Sequence, residues 1–321
     1  MYSEKVNKIQ SFFIYLLPIC LVTGPFLPDL IVSLSSLIFI IFSIKNKYFK
    51  YYNNIYFKTF LIFWIYITIN SIFAINPLLS LKSSFFFFRF AIFSILICYL
   101  LDKNKNFIKF FALSLFVTFF VVLVDTYFQY FIGFNILGIQ SPQPDRLSSF
   151  FGEELIVGSF LSRLFPLVMA FGILMSERGI KHLNVVSILF LILTDVIIFL
   201  SGERTSFGLL VITNVLYIIY ITRYKILRIF GFGISIFVII FFFFNDTSLE
   251  RRMIQQTLKD FTSKSMVNIE NNEIASHERK RNLFVFSSQH ESHYLTALNM
   301  FYDNILFGVG PNMFRHECSN Q

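Results

Sequence analysis

A chain of 321 residues that is 55% hydrophobic and 14% charged, with a mean hydropathy of +0.66, is too apolar for an ordinary soluble domain. Its net charge of +8 does not call for a nucleic-acid partner, because much of the Lys and Arg stands in short segments between apolar runs, where it also attracts anionic lipid. Its three cysteines make no disulfide framework; Cys20 and Cys98 fall in apolar runs and read as packing residues, and Cys318 stands near the end.

About nine apolar runs approach the length needed to cross a bilayer core of roughly 30 Å. In chain order they cover 11–27, 30–44, 59–75, 84–101, 110–132, 155–175, 183–201, 205–222 and 226–244. The first is bounded by Pro28 and Asp29 and has no small-residue cleavage site, so it reads as a retained anchor. The second is short enough to be a half-span or a packed pair with the first. The expected fold is an all-α polytopic membrane bundle over residues 1–244, followed by a polar segment over 245–321.

Lys and Arg in short loops set orientation. One set of loops holds Lys5, Lys8, Lys45, Lys47, Lys50, Lys58, Lys103, Lys105, Lys109, Arg178, Lys181, Arg223, Lys225 and Arg228. The opposite set holds only Lys82, Arg146 and Arg204. This asymmetry places the N-terminus in the cytoplasm and the segment after Phe244 outside. In that segment Thr247-Ser-Leu-Glu250 has capping-box form, and Leu249, Met253, Leu258 and Phe261 predict a short amphipathic helix on the outer membrane surface. Residues 264–281 read as a mobile loop. A second helix is expected through Tyr294, Leu295, Leu298 and Phe301, stopping at Asp303-Asn304 before a Gly308-Val-Gly310-Pro311 turn.

Four arginines fall in or beside the apolar runs on the outer side: Arg89, Arg146, Arg163 and Arg204. Guanidinium groups gathered at one membrane face suit an anionic head group, most simply a diphosphate. Arg204 lies in the tight turn Ser201-Gly-Glu-Arg-Thr-Ser206, where hydroxyls and helix-start amides can join it around a phosphate. The alternative is an arginine snorkelling to the interface and paired with Glu203. Arg163 lies inside the sixth run, where a charge costs roughly 2.5–3.5 kcal/mol and needs a partner or a polar cavity; Asp125 and Asp195 are the candidate partners, each expected to be structural. Arg89 follows Phe85 to Phe88 near the outer end of the fourth run, where it could also be a snorkelling anchor. Arg146 stands in an outer loop followed by Glu153 and Glu154. Of the outer histidines, His277 reads as solvated, and His290 and His293, spaced i, i+3, read as a helix-surface pair before a weak metal site.

Three stretches together resemble the O-antigen ligase and polymerase superfamily of bacterial membrane glycosyltransferases. Arg146-Leu-Ser-Ser-Phe-Phe-Gly-Glu-Glu-Leu-Ile-Val-Gly-Ser159 is similar to the family's Arg-Leu-x-Gly-x-Phe…Gly-Ser pattern before a span. Ser201-Gly-Glu-Arg-Thr-Ser206 resembles its Ser-x-x-Arg-x-x turn. The stretch 297–314 resembles its segment ending Gly-x-Gly-x-x-x-Phe, here Gly308, Gly310 and Phe314.

The resemblance implies an inner-membrane enzyme that passes a glycan from an undecaprenyl-diphosphate carrier to a sugar hydroxyl, on lipid A core or on another glycan, at the periplasmic face without metal or nucleotide cofactor. It implies that arginines stabilise the diphosphate leaving group, in agreement with the reading of Arg204, Arg146 and Arg163, with Arg89 kept in the same set, and that Glu153 or Glu154 contacts the acceptor. The family's proposed base belongs to a His-x-His-Asn motif further along the outer loop. This sequence reaches Gln321 shortly after Arg315-His-Glu-Cys318, so the role is not carried to His316 and the base stays unassigned. The chain is thus expected to be the front part of a longer protein, or an inactive remnant. The competing class is a transporter of a lipid-linked sugar or small anion, which would place charges nearer the midplane.

Overall fold

The computed structural model describes residues 2–177, 183–222, 225–245, 251–255, 288–305 and 307–318. They are all-helical, with no strand among them. The helices are α1 (Tyr2–Cys20), α2 (Phe26–Lys45), α3 (Ile55–Ile72), α4 (Pro77–Phe86), α5 (Phe88–Lys103), α6 (Phe107–Ile132), α7 (Val157–Glu177), α8 (Leu183–Leu200), α9 (Arg204–Tyr220), α10 (Lys225–Asn245), α11 (Ser288–Asp303) and α12 (Phe314–Cys318). Among the described residues, six stretches are long and apolar enough to cross a membrane: α2, α3, α4 with α5, α6, Val157–Met175 of α7, and α10. Helix α9 and the Leu189–Leu200 part of α8 are apolar but shorter. The chain is a multi-pass membrane protein by this measure. Of the amphipathic helix expected from Leu249 to Phe261, only a π-helical turn at Arg251–Gln255 falls within the described residues; the capping box, the loop over 264–281 and His277 lie outside them.

Two boundaries depart from the sequence reading. Pro28 and Asp29 do not separate the first two helices; they sit in the first turn of α2. A helix leaves its first amides without intrahelical partners, so proline costs no bond there, and Gly24, at φ +111°, makes the turn instead. Helix α2 is therefore 20 residues long and long enough to span. The fourth run begins earlier than expected, because Asn76 caps α4 through Leu79 N–H at 3.3 Å and Pro77 occupies its first turn. The chain divides at Phe87 into α4 and α5. The expected end of the 294–303 helix is found at Asp303.

The surface is apolar and the interior is unusually rich in small polar residues. Phe73, Leu78, Ile226, Phe237 and Phe244 are largely exposed, whereas Ser35, Ser71, Ser80, Ser84, Ser162, Ser201, Ser206 and Ser235 are buried. In water such a surface would drive aggregation. In lipid it costs nothing, and small residues let helix backbones approach closely.

The chain forms two compact units. The first contains Met1–Gln10, Asp29–Lys105 and the described part of Thr257–Gln321. Here α3 packs on α4, with Ser71 Oγ donating to Ser84 Oγ at 2.8 Å and Trp64 Nε1 donating to the Ser84 carbonyl at 3.0 Å. Tyr99 is fully buried among Phe39, Phe42, Tyr48 and Tyr51. Cys98, expected to pack, is exposed, and the three cysteines are free.

The second unit contains Ser11–Pro28 and Asn106–Gln256. Its core runs through Phe119, Leu123, Leu161, Phe165, Ile197, Leu210 and Ile239. Within it Arg228 Nη2 meets Asp195 Oδ1 at 2.7 Å, with both side chains buried. Arg228 Nε donates to Asn214 Oδ1 at 2.6 Å, and Ser235 Oγ donates to Asp195 Oδ2 at 2.8 Å. The guanidinium also lies over the rings of Phe165 and Phe232. One network thus joins α8, α9 and α10. The sequence reading counted Arg228 as a loop charge and offered Asp195 to Arg163; the buried pair is the reverse assignment.

Removing either partner leaves an uncompensated charge. Arg228→Ala and Asp195→Ala are each expected to cost about 3–5 kcal/mol, whereas Arg228→Met combined with Asp195→Leu recovers most of the loss. Thermal unfolding in detergent micelles measures both.

Candidate functional site

Helix α6 ends at Gly133, which adopts the left-handed conformation at φ +92°. The following loop folds back onto the last turns of α6 through three polar side chains. Asp125 Oδ1 accepts Ile136 N–H at 2.8 Å, and its Oδ2 accepts Ser149 Oγ at 2.5 Å. Gln129 Oε1 accepts the amides of Ser148 and Ser149 at 2.9 and 2.7 Å. Asn135 Nδ2 donates to the Ser149 carbonyl at 2.9 Å. Ser149 is thereby held on every side at φ +51°, a conformation L residues avoid unless their surroundings impose it. Asp125 is thus a loop anchor, with no arginine among the partners shown for it.

The anchored loop carries Arg146, Glu153 and Glu154. Arg146 is half-buried, and its Nη2 donates to the Leu155 carbonyl at 2.6 Å, closing the loop on itself. Glu153 and Glu154 are exposed. Leu147 N–H reaches the Ser201 carbonyl at 3.4 Å, tying this loop to the turn before α9.

That turn is locked to the start of α7 by Glu203, which is buried. Its Oε1 accepts Gly158 N–H at 2.8 Å. Its Oε2 accepts Ser159 N–H at 3.0 Å, Ser159 Oγ at 2.7 Å and Ser206 Oγ at 2.8 Å. A carboxylate is the natural occupant of a helix start, where unpaired amides and the dipole favour negative charge. Gly158 permits the approach: a Cβ there would lie 2.3 Å from Ser201 Oγ and 3.1 Å from the Glu203 carboxylate. Gly202, at φ +72°, makes the turn itself. Glu203 was read only as a possible partner of Arg204. Its position directly before a helix start, opposite a Gly-Ser pair, was the available signal.

Arg204 is the first residue of α9 and half-buried. Arg163 lies one helical turn beyond Ser159 on α7, which packs against α9. Its side chain is exposed, and no ion pair or hydrogen bond of its guanidinium occurs among the described residues. Three residues later Pro166 removes the backbone donor that would close on the Ser162 carbonyl. The segments bearing Arg146, Arg163 and Arg204 are therefore brought to one end of the second unit. Arg89 belongs to the first unit, where it pairs with Asp29 and its Nη1 donates to Ser33 Oγ at 3.3 Å. Its charge is already met by a protein carboxylate. His293 is exposed beside the Phe314 ring, His316 is exposed, and the side chain of His290 lies outside the described residues.

No protein-family model, curated protein or solved structure matches this chain.

Gly158→Ala is expected to destabilise the fold by about 1–3 kcal/mol through overpacking. Adding Ser201→Ala removes the nearest clash and should return part of that loss. Glu203→Ala leaves buried amides unpartnered and should cost a similar 1–3 kcal/mol, roughly. Melting temperatures of the three variants and the unaltered protein in micelles test the clamp.

Proposed function

We propose that this chain is a multi-pass membrane glycosyltransferase of the O-antigen ligase and polymerase type. It would cross the inner membrane about nine times, with its N-terminus cytoplasmic and residues 245–321 periplasmic. In this reading the acceptor hydroxyl oxygen attacks the anomeric carbon of a glycan held on undecaprenyl diphosphate. The bond from that carbon to the diphosphate oxygen breaks, and the diphosphate leaves with the electron pair. The hydroxyl proton passes to a base that no residue here is assigned to supply. The acceptor is lipid A core or another glycan.

The observation that carries this reading is Arg163: a permanent cation on a membrane-type helix, exposed, with no anion of the protein beside it among the described residues. Such a charge is costly unless a ligand or polar cavity meets it. Glu203 supports the reading as well. Its oxygens accept four donors from α7 and α9, so it holds the Arg204 turn in place. Arginine suits the role because its fork matches phosphate oxygens and stays charged. Stabilising a departing diphosphate by fixed donors is effective where water is partly excluded. Glu153 and Glu154, exposed on the Arg146 loop, are the proposed acceptor contacts. Arg89, already paired with Asp29, is the weakest member of the proposed set.

A second reading, a carrier of a lipid-linked sugar or small anion, draws on the buried Asp195–Arg228 pair, since paired charges inside spans often line ion pathways. Release of undecaprenyl diphosphate from a lipid-linked glycan by protein in vesicles supports the enzyme. Anion flux without such release supports the carrier.

Arg204→Ala is expected to lower the transfer rate by about 10²–10³ while leaving the protein in the membrane fraction. Arg204→Lys restores charge without the fork and should recover only part of the rate. Unchanged transfer by the alanine variant would overturn the diphosphate site.

A further inference from the structure

The first unit contains a second feature that the proposed transfer reaction does not use. Helix α3 presents an exposed stripe of Ile62, Ile65, Ile69 and Ile72, at the spacing of one helix face. On a candidate membrane span this stripe faces lipid. The stripe does not stop where the helix does. It continues into the corner between α3 and α4, where Phe73, Ile75 and Leu78 are all more than half exposed.

A distant part of the chain is pinned to that corner. Asn70 Nδ2 donates to the Phe307 carbonyl, and Asn70 is itself buried. Gly310, at φ +94°, sits so close to the α3–α4 corner and α4 that a Cβ there would lie 2.7 Å from Ala74 Cβ and 3.3 Å from Ser80 Oγ. Met313, fully buried, follows. The glycines of the Gly308-Val-Gly310 turn thus permit a close backbone approach, with Gly308 at φ +63°. Between α11 and this turn the side chains of Phe301, Tyr302, Ile305 and Phe307 are each about half exposed or more. They are interleaved with the exposed polar residues Asp303 and Asn304.

Depth decides what covers this surface. Helix α3 has 18 residues, which at 1.5 Å per residue is about 27 Å, close to the hydrocarbon thickness of a bilayer. Its end therefore falls near the boundary between acyl chains and head groups. Asn70 lies within the last turn of that helix, so the Phe307 backbone sits at the same depth. A mixed aromatic and polar surface is what that boundary favours, with rings against acyl chains and polar tips in the head groups.

We propose that the end of α11 and the turn after it, Phe301 to Phe307, rest in the bilayer boundary as an interfacial anchor, continuous with the lipid-facing stripe of α3. The occupant of this surface is the lipid of the membrane that the helices cross. The anchor fixes the end of the polar segment to the membrane independently of any transfer activity.

Spin-label depth measurements test it. Single cysteines are placed at Tyr302, Ile305 and Phe307 in a chain whose Cys20, Cys98 and Cys318 are serine, with Phe63→Cys on α3 as a mid-span reference. The labelled proteins are reconstituted in vesicles of phosphatidylethanolamine and phosphatidylglycerol. Collision with oxygen, which concentrates in acyl chains, is compared with collision with a water-soluble nickel chelate. The anchor predicts that oxygen dominates at all three positions, at depths shallower than the Phe63 reference. Nickel dominating at two or more positions overturns it by placing the segment in water. Low access to both reagents also overturns it, because a second copy or another protein would then cover the surface. These outcomes do not depend on whether the chain transfers glycans.

Discussion

Helices surrounded by lipid gain little from hiding apolar side chains against each other, because the acyl chains outside are equally apolar. What holds them is close approach and polar contact, and every polar group taken into that interior must find a partner. The Arg228–Asp195 pair shows this constraint most directly. Its ionised groups are enclosed by Asn214, Ser235 and two aromatic rings drawn from α7, α8, α9 and α10. Such a pair adds little net energy over an apolar substitute. It does tie α8, α9 and α10 to one another through a single polar network. The same logic places many serines inside, while large apolar residues such as Phe73, Phe237 and Phe244 lie outside.

Glu203 extends that logic to the end of the second unit. The Glu203 carboxylate, from the turn between α8 and α9, meets four donors at the starts of α7 and α9. Asp125 and Gln129 do the equivalent for the loop that carries Arg146. The arginines proposed to hold a diphosphate therefore stand on backbone fixed by other residues' carboxylates and amides. Preorganisation of this kind is what lets fixed donors act on a developing charge without first rearranging. Helix rigidity alone would not supply it, because Arg146 lies in a loop.

The first unit meets its polar demands differently. Its helix contacts are hydroxyl to hydroxyl and indole to carbonyl, as in Ser71 with Ser84 and Trp64 with Ser84. Arg89 is neutralised by Asp29 from the first turn of α2. The glycine turn near the end of the chain brings Gly310 close against the small side chains of Ala74 and Ser80.

The apolar runs, their order and the helix end at Asp303 could be read from the sequence, because helix length, hydropathy and capping are local properties. The sequence grouped Arg89, Arg146, Arg163 and Arg204 on one side, and the structure sets Arg89 apart, in the first unit beside Asp29. The partners were not legible. Asp195 read as a candidate partner of Arg163 and Arg228 as a loop charge, and only the packing of α10 against α8 brought Asp195 to Arg228. Glu203 beside Arg204 read as a neighbouring ion pair until the fold turned its carboxylate onto the start of α7. Pro28 read as a boundary until Gly24 supplied the turn. Sequence by itself determined that the chain is helical and largely membrane-embedded, because burial in lipid is decided residue by residue. Tertiary structure alone decided which charge meets which, because a polar side chain can bond only to what the fold brings within about 3 Å.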